Sequence, residues 1–146
     1  MFYIIMGYSF YQVWLHAIFT TKDRKPLLTS ALEDVLFPFL YNEFSEMGCQ
    51  LKIVNGLTDH IHCLFMIDGK TACANILKQV KGASSHYINQ QEIIKEKFTW
   101  EKGYAIYSVS NSMVPAVYKY IKKQKITRMT LEQEGFFYNF RTKHSF

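Results

Sequence analysis

Two histidines one residue apart, His60 and His62, stand in the run DHIHCLFMI that begins at Asp59. On a β-strand, side chains two positions apart share a face. Both imidazoles therefore project together, while Ile61, Cys63 and Phe65 turn to the other side. A pair of neighbouring imidazoles on rigid backbone suits one divalent cation. Asp59 could add a ligand or orient an imidazole from behind. An isolated His-x-His pair is better read as the wet face of an edge strand. The apolar flank from Cys63 to Ile67 instead marks a buried central strand, where two adjacent imidazoles need a reason to be there, and metal binding becomes the preferred reading. The next residue on that face is Leu64, so a nucleotide hydrolase built on three alternating histidines would lack its nucleophile.

A second cluster lies in the run MVPAVYKYIKKQ that begins at Met113. Val114, Val117, Tyr118 and Ile121 fall at helical spacings and form one core-facing stripe, which makes Tyr118 structural. Tyr120 lies about 200° around the helix from Tyr118. Gln124, one turn further on, shares its side. A solvent-side phenol and amide oxygen so placed can reach one point in space, although an exposed tyrosine and a helix-forming glutamine are on their own better read as ordinary surface residues. Lys119, Lys122, Lys123 and Lys125 form a basic collar that could hold phosphates or simply be solvated. The case for a site comes from combining the pieces: two histidines for a metal, Tyr120 as a nucleophile, an oxygen ligand and nearby cations.

The elements that must position these groups follow from periodicity. Residues 8–20 (YSFYQVWLHAIFT) are aromatic and β-branched, and read as a strand. Ser30 is expected as an N-cap with Glu33 as its capping-box partner. The helix it opens runs to near Gly48, and Pro38 should kink or divide it. Residues 49–54 make a second strand, Asn55-Gly56 a hairpin-type turn, and residues 60–67 the third strand. Residues 71–91 are helical, with Gly82 a weak point. The charged stretch 90–97 reads as surface. Residues 104–109 form a fourth strand and residues 113–125 a last helix; the aromatic tail beyond has no single reading. The order strand, helix, strand, strand, helix, strand predicts an α+β, ferredoxin-like split βαβ fold, also the RRM-like arrangement. It has a four-stranded antiparallel sheet, helices on one face and a C-terminal tyrosine-bearing helix.

The 146 residues fit one domain, expected over 1–146, with 49% hydrophobic and an elevated 16% aromatic content. Lys plus Arg exceed Asp plus Glu by 17 to 12, which gives weak support to a phosphate-bearing partner. Three cysteines (Cys49, Cys63, Cys73) without a Cys-x-x-Cys pair argue against a disulfide framework or zinc ribbon and for a reducing cytoplasm. The short apolar start lacks a basic region before it and is soon followed by polar and charged residues from Thr20, so no signal peptide is expected. No run approaches the roughly 20 apolar residues of a membrane helix. The expectation is a soluble cytoplasmic protein with no membrane partner.

At this point the sequence resembles the single-tyrosine, HUH-type transposases of small bacterial insertion sequences (IS200-like). The segments VWLHAIFTTKDR, DHIHCLFMI, LKQVKGASSHYI, FTWEKGYAIYSVS and VYKYIKKQK occur in family order and at family-like spacing over nearly the whole chain. The resemblance implies that His60 and His62 are the metal-binding histidines, Tyr120 the nucleophile and Gln124 the third ligand. It also implies a homodimer whose sheets join, with each active site assembled either within one chain or from one subunit's histidines and the other's tyrosine helix, and recognition of hairpins in single-stranded DNA at the element's ends. After the glutamine, members commonly carry a His-His pair, where this chain has Ile126-Thr127-Arg128.

The implied reaction is cleavage and rejoining of single-stranded DNA through a 5′-phosphotyrosine, with Mg²⁺ or Mn²⁺ as cofactor; the mixed N/O ligand set favours Mn²⁺ somewhat. Arg24, Lys78, Lys81 and Lys123 are candidate DNA contacts, against ordinary surface charge. His16 could approach the metal site from the neighbouring strand, although a hydrogen-bonded core histidine is the preferred reading. Trp100 and Tyr104 could stack on bases, with core packing the safer reading. Two alternatives stay open. One is a domesticated hairpin-DNA nuclease of the same family. The other is a non-catalytic single-stranded nucleic-acid-binding module, which the missing aromatic-Gly motif disfavours.

Overall fold

Alternation along the strands creates two different faces of one sheet. The computed structural model describes residues 10–125. Its strands are β1 (Val13–Thr20), β2 (Gln50–Gly56), β3 (His60–Ile67) and β4 (Ala105–Val109), all antiparallel and in the order β2-β3-β1-β4. Leu15, Ala17 and Phe19 of β1 and Ile61, Cys63 and Phe65 of β3 turn to one face. There they pack with α1 (Ser30–Glu46) and α2 (Cys73–Gln91) into the main core. The opposite face carries Trp14, His16 and Ile18 with His60, His62 and Leu64. Against it lies α3 (Val114–Lys122), whose Val114 and Ile121 join Trp14, Ile53 and Leu64 in a second cluster. This is the α+β split βαβ arrangement, with one helix on the face the other two leave open.

The central position of β3 explains its burial on both faces: every residue from His60 to Phe65 is buried. The largest fully buried side chains include Phe19, Phe44, Phe65 and Phe98, each worth about 1.5–3 kcal/mol relative to exposure. Trp100 packs edge-on against Phe19 and Phe98, and its indole N–H donates to Ser84 Oγ at 2.9 Å. It is a core residue. The neighbouring Tyr104 is half-buried, with the Lys81 ammonium over its ring.

Several local expectations need correcting. The first strand begins at Val13 and not at residue 8; residues 8 and 9 lie outside the described part. Thr29, and not Ser30, caps α1, accepting from the Leu32 N–H at 3.3 Å. That shifts the frame by one residue, and Glu33 is released from a capping box to meet Lys125. Pro38 does not divide α1, because Pro38 and Asp34 are both exposed and water can reach the carbonyl that proline leaves unpaired. Gly82 does not interrupt α2.

Asn55 and Gly56 are not the hairpin turn. Both continue β2, opposite His62 and Ile61, and the chain reverses over residues 57–59. Gly56 is needed for close approach: a Cβ there would stand 2.0 Å from the His60 carbonyl oxygen. The last helix is shorter than expected, entered through a 3₁₀ turn at Asn111–Met113, with Pro115 in its first turn. Residues 126–128 and the aromatic tail lie outside the described part.

Candidate active site

His60 and His62 leave β3 on the same face, with ring centroids 5.1 Å apart. Both are buried. Each has its Nδ1 engaged from behind. His60 Nδ1 lies 2.7 Å from Asp59 Oδ1, and the other carboxylate oxygen of Asp59 accepts from Arg24 Nε at 3.0 Å. The hydrogen bond from His60, followed by that from Arg24, holds the Asp59 carboxyl well below the usual carboxylate range against the opposing effect of burial. Asp59 is therefore a carboxylate that can only accept, and His60 must donate from Nδ1, so that the lone pair of a neutral His60 ring is on Nε2. His62 Nδ1 lies 2.9 Å from Nε2 of His16, the neighbouring strand's histidine. Burial lowers the pKa of His16 to about 4, so it is a neutral imidazole near pH 7.

Arg24 owes its place to a strained turn. Asp23 and Arg24 both have positive φ, 57° and 54°, which is costly for residues with a Cβ. The turn is held from two sides. Thr21 Oγ1 donates to the Lys25 carbonyl at 2.7 Å, and the Asp23 N–H donates to Glu101 Oε2 at 3.0 Å. Thr21 N–H also donates to the Asp59 carbonyl at 2.9 Å, which ties the turn to the residue that backs His60.

The helix α3 brings Tyr120 over this pair. Its ring lies 5.6 Å from that of His62, edge-on at 81°, within one chain. Tyr120 is not on the solvent side as the helical wheel suggested. Both Tyr118 and Tyr120 are half-buried against the Trp14–Ile53–Leu64 cluster, because a short helix lying flat on a sheet turns both flanks of its stripe toward it. Gln124 is buried as well. Its Oε1 has no hydrogen-bond partner among the described residues, and its Nε2 makes a long 3.4 Å contact to the Tyr120 carbonyl.

The amide oxygen of Gln124 is thus a buried acceptor with no donor among the described residues, four positions beyond the tyrosine whose ring meets His62, and a cation would satisfy it. Among the described residues no three His, Cys, Asp or Glu side chains gather as a metal group; His60, His62 and the Gln124 amide oxygen are the groups here that could hold one.

The candidate DNA contacts are dispersed. Arg24 is at the site through Asp59, and Lys123 is exposed just beyond α3. Lys78 and Lys81 belong to α2, on the far side of the sheet from the histidines. Lys78 is exposed, whereas Lys81 donates to the carbonyls of Glu101 and Gly103, each at 2.7 Å. Of the collar, Lys125 is also engaged, with Glu33 Oε2 at 2.6 Å and with Asn55 Oδ1.

One contributor escaped the sequence reading and another was given a lesser place. Asn55 stands opposite His62 in the ladder and donates its amide to the carbonyls of Ile121 (3.0 Å) and Lys122 (3.3 Å). It thus caps the end of the helix that carries Tyr120, yet an Asn-Gly pair signals a turn. His16 was named as a residue that could approach the histidines, with a hydrogen-bonded core histidine preferred; it is both buried and in contact with His62, 46 positions away.

The residues that converge here lie within a stretch with clear relatives. The pattern of the family described as "Transposase IS200 like" matches residues 9–124. The ISDra2 transposase TnpA of Deinococcus radiodurans is 28% identical over 120 residues, covering 78% of this chain and 85% of that protein. A crystal structure from D. radiodurans R1, of a protein assigned as a transposase, superposes with TM-score 0.67 at 23% identity, over 84% of this chain and 98% of that one. A REP-associated tyrosine transposase, solved bound to a REP hairpin, superposes with TM-score 0.56 at 12% identity, over 82% of this chain and 68% of that one. No helix among the described residues is long and apolar enough to cross a membrane. Matched by the family pattern over most of its length, the chain belongs to the IS200-like transposases.

Proposed function

We propose that this transposase cleaves and rejoins single-stranded DNA through a 5′-phosphotyrosine on Tyr120. The observation that carries the reading is the Tyr120 ring edge-on to His62 at 5.6 Å, with the unpartnered Gln124 Oε1 four residues further along, just past the end of α3. Tyr120 Oη bonds to phosphorus as the P–O3′ bond breaks. The phenolic proton is lost and the departing oxygen gains one, so the products are a phosphotyrosine and a free 3′-hydroxyl. Because the ester energy is retained, the 3′-hydroxyl of another strand can reverse the step and join to the 5′ end, with no nucleotide cofactor.

His60, His62 and Gln124 would hold a divalent metal, Mg²⁺ or Mn²⁺. When bound, it supplies positive charge for the non-bridging oxygens and the departing 3′ oxygen. The chain's own part is to fix the ligands: Asp59 orients His60, Arg24 orients Asp59, and Asn55 holds the helix that carries Tyr120 and leads to Gln124.

The proposed substrate is DNA with hairpin ends, in keeping with the REP hairpin held by the related transposase. The proposed assembly is a homodimer, each subunit a single domain over 1–146. Arg24, Lys123, Lys78 and Lys81 are proposed as phosphate contacts, with Arg24 nearest the histidines and Lys81 shared with its loop carbonyls.

The test is incubation with labelled single-stranded hairpin DNA and Mn²⁺. A denaturation-resistant protein–DNA adduct is expected, abolished by Tyr120→Phe and kept by Tyr118→Phe. Loss with Tyr118→Phe instead would move the nucleophile. No adduct under any divalent metal would leave a binding module without chemistry.

A further inference from the structure

We infer that His16 is a positioning residue for this site: its Nε2 accepts the Nδ1 proton of His62 and so fixes His62 in the tautomer whose lone pair is on Nε2. The inference rests on the metal-site reading above. In the β1–β3 register His16 is opposite Leu64 and Ile18 is opposite His62, which makes His16 the diagonal neighbour of His62 on the same face. The two rings are tilted by 32° with centroids 5.1 Å apart, both are buried, and the nitrogen-to-nitrogen distance is 2.9 Å.

Between two neutral imidazoles one must donate. If His16 donated, His62 would accept at Nδ1 and carry its proton on Nε2, where it could not ligate a cation. If His62 donates, its Nε2 carries a lone pair, as the Nε2 of a neutral His60 does by virtue of the Asp59 carboxylate. The two histidines thus reach the same tautomer from different supports, one anionic and one neutral.

The choice of an imidazole as the second support has an electrostatic consequence. A second carboxylate would add a negative charge to a site whose substrate is a polyanion. His16 provides the acceptor without the charge, and the single carboxylate at the other histidine is already paired with Arg24.

The tautomer can be read directly on the metal-free full chain from the side-chain ¹⁵N shifts of His62. We expect the proton on Nδ1 in the wild type and in His16→Gln, whose amide oxygen can replace the accepting nitrogen. In His16→Phe, which fills the space without accepting, a mixed or Nε2-protonated His62 is expected. Mn²⁺ affinity by calorimetry should stay near wild type in His16→Gln and fall about 10- to 100-fold in His16→Phe. A wild-type His62 protonated on Nε2 overturns the inference even if His16→Phe fails to fold. So does a folded His16→Phe that binds Mn²⁺ like the wild type. A wild-type chain that takes up no Mn²⁺ removes the metal-site reading instead, while the ¹⁵N shifts still decide what His16 does.

Discussion

Asn55 donates its side-chain amide to the Ile121 carbonyl at 3.0 Å, and so a residue in the ladder directly opposite His62 also terminates the helix that carries Tyr120. The last carbonyls of a helix have no intrahelical donor. Supplying one from β2 both satisfies them and fixes the end of α3 over the histidine pair. The same asparagine accepts from Lys125, whose ammonium also meets the buried Glu33 of α1. Asn55→Ala should therefore cost about 1–2 kcal/mol of stability in urea unfolding. It should slow phosphotyrosine formation more than it weakens binding of uncleaved hairpin DNA. Equal losses in binding and adduct rate would mean that Asn55 serves the fold or the DNA contact alone.

How far the sequence revealed this site depends on how local each signal was. His60 and His62 could be paired because a strand repeats every two residues and the apolar flank identifies β3 as central. Tyr120 and Gln124 could be paired because a helix sets residues four apart on one side. Their direction was misjudged, since a helical wheel says which residues group together and not which sheet face the helix will lie on. Asn55 was misread because Asn-Gly is the strongest local turn signal, whereas Gly56 is there to let β2 approach the His60 carbonyl. The Ser30–Glu33 spacing fits a capping box, but Thr29 takes the cap and Glu33 pairs with a lysine 92 residues away. Contacts that depend on strand register or on the packing of α3 leave no mark in a short window of sequence.

Acid should weaken the metal-free protein through His16. Its pKa is lowered from 6.5 to about 4 by burial, with His62 on β3 and Tyr107 on β4 as its ring neighbours. Between those values the unfolded chain binds a proton at this position that the folded chain excludes, so stability rises with pH across the window and falls on acidification. The loss through this one group is at most about 1.4 kcal/mol per pH unit, and it ends near pH 4, where both states are protonated. Asp59 acts in a lower window: its depressed pKa contributes stability above the ordinary carboxylate range that is lost as pH falls through and below it. Unfolding free energies measured from pH 7 to pH 4 in the presence of a chelator should thus slope less steeply in His16→Gln than in the wild type. Identical slopes would show that other groups set the acid sensitivity.

The four candidate phosphate contacts should separate by what else they hold. A cation that neutralises one phosphate lowers the slope of log K against log salt by about 1 when removed. Arg24→Ala, Lys78→Ala and Lys123→Ala should each do this if they bind DNA. Arg24→Ala should in addition reduce Mn²⁺ affinity, because its guanidinium steadies the carboxylate behind His60. Lys81→Ala should stand apart. Its ammonium joins the carbonyls of Glu101 and Gly103 to α2, and Glu101 in turn holds the strained turn at Asp23. Removing it should lower stability by about 1–3 kcal/mol and loosen that turn, whether or not the salt slope changes. A Lys81→Ala protein as stable as the wild type but with a shallower slope would make this lysine a DNA contact first and a strut second.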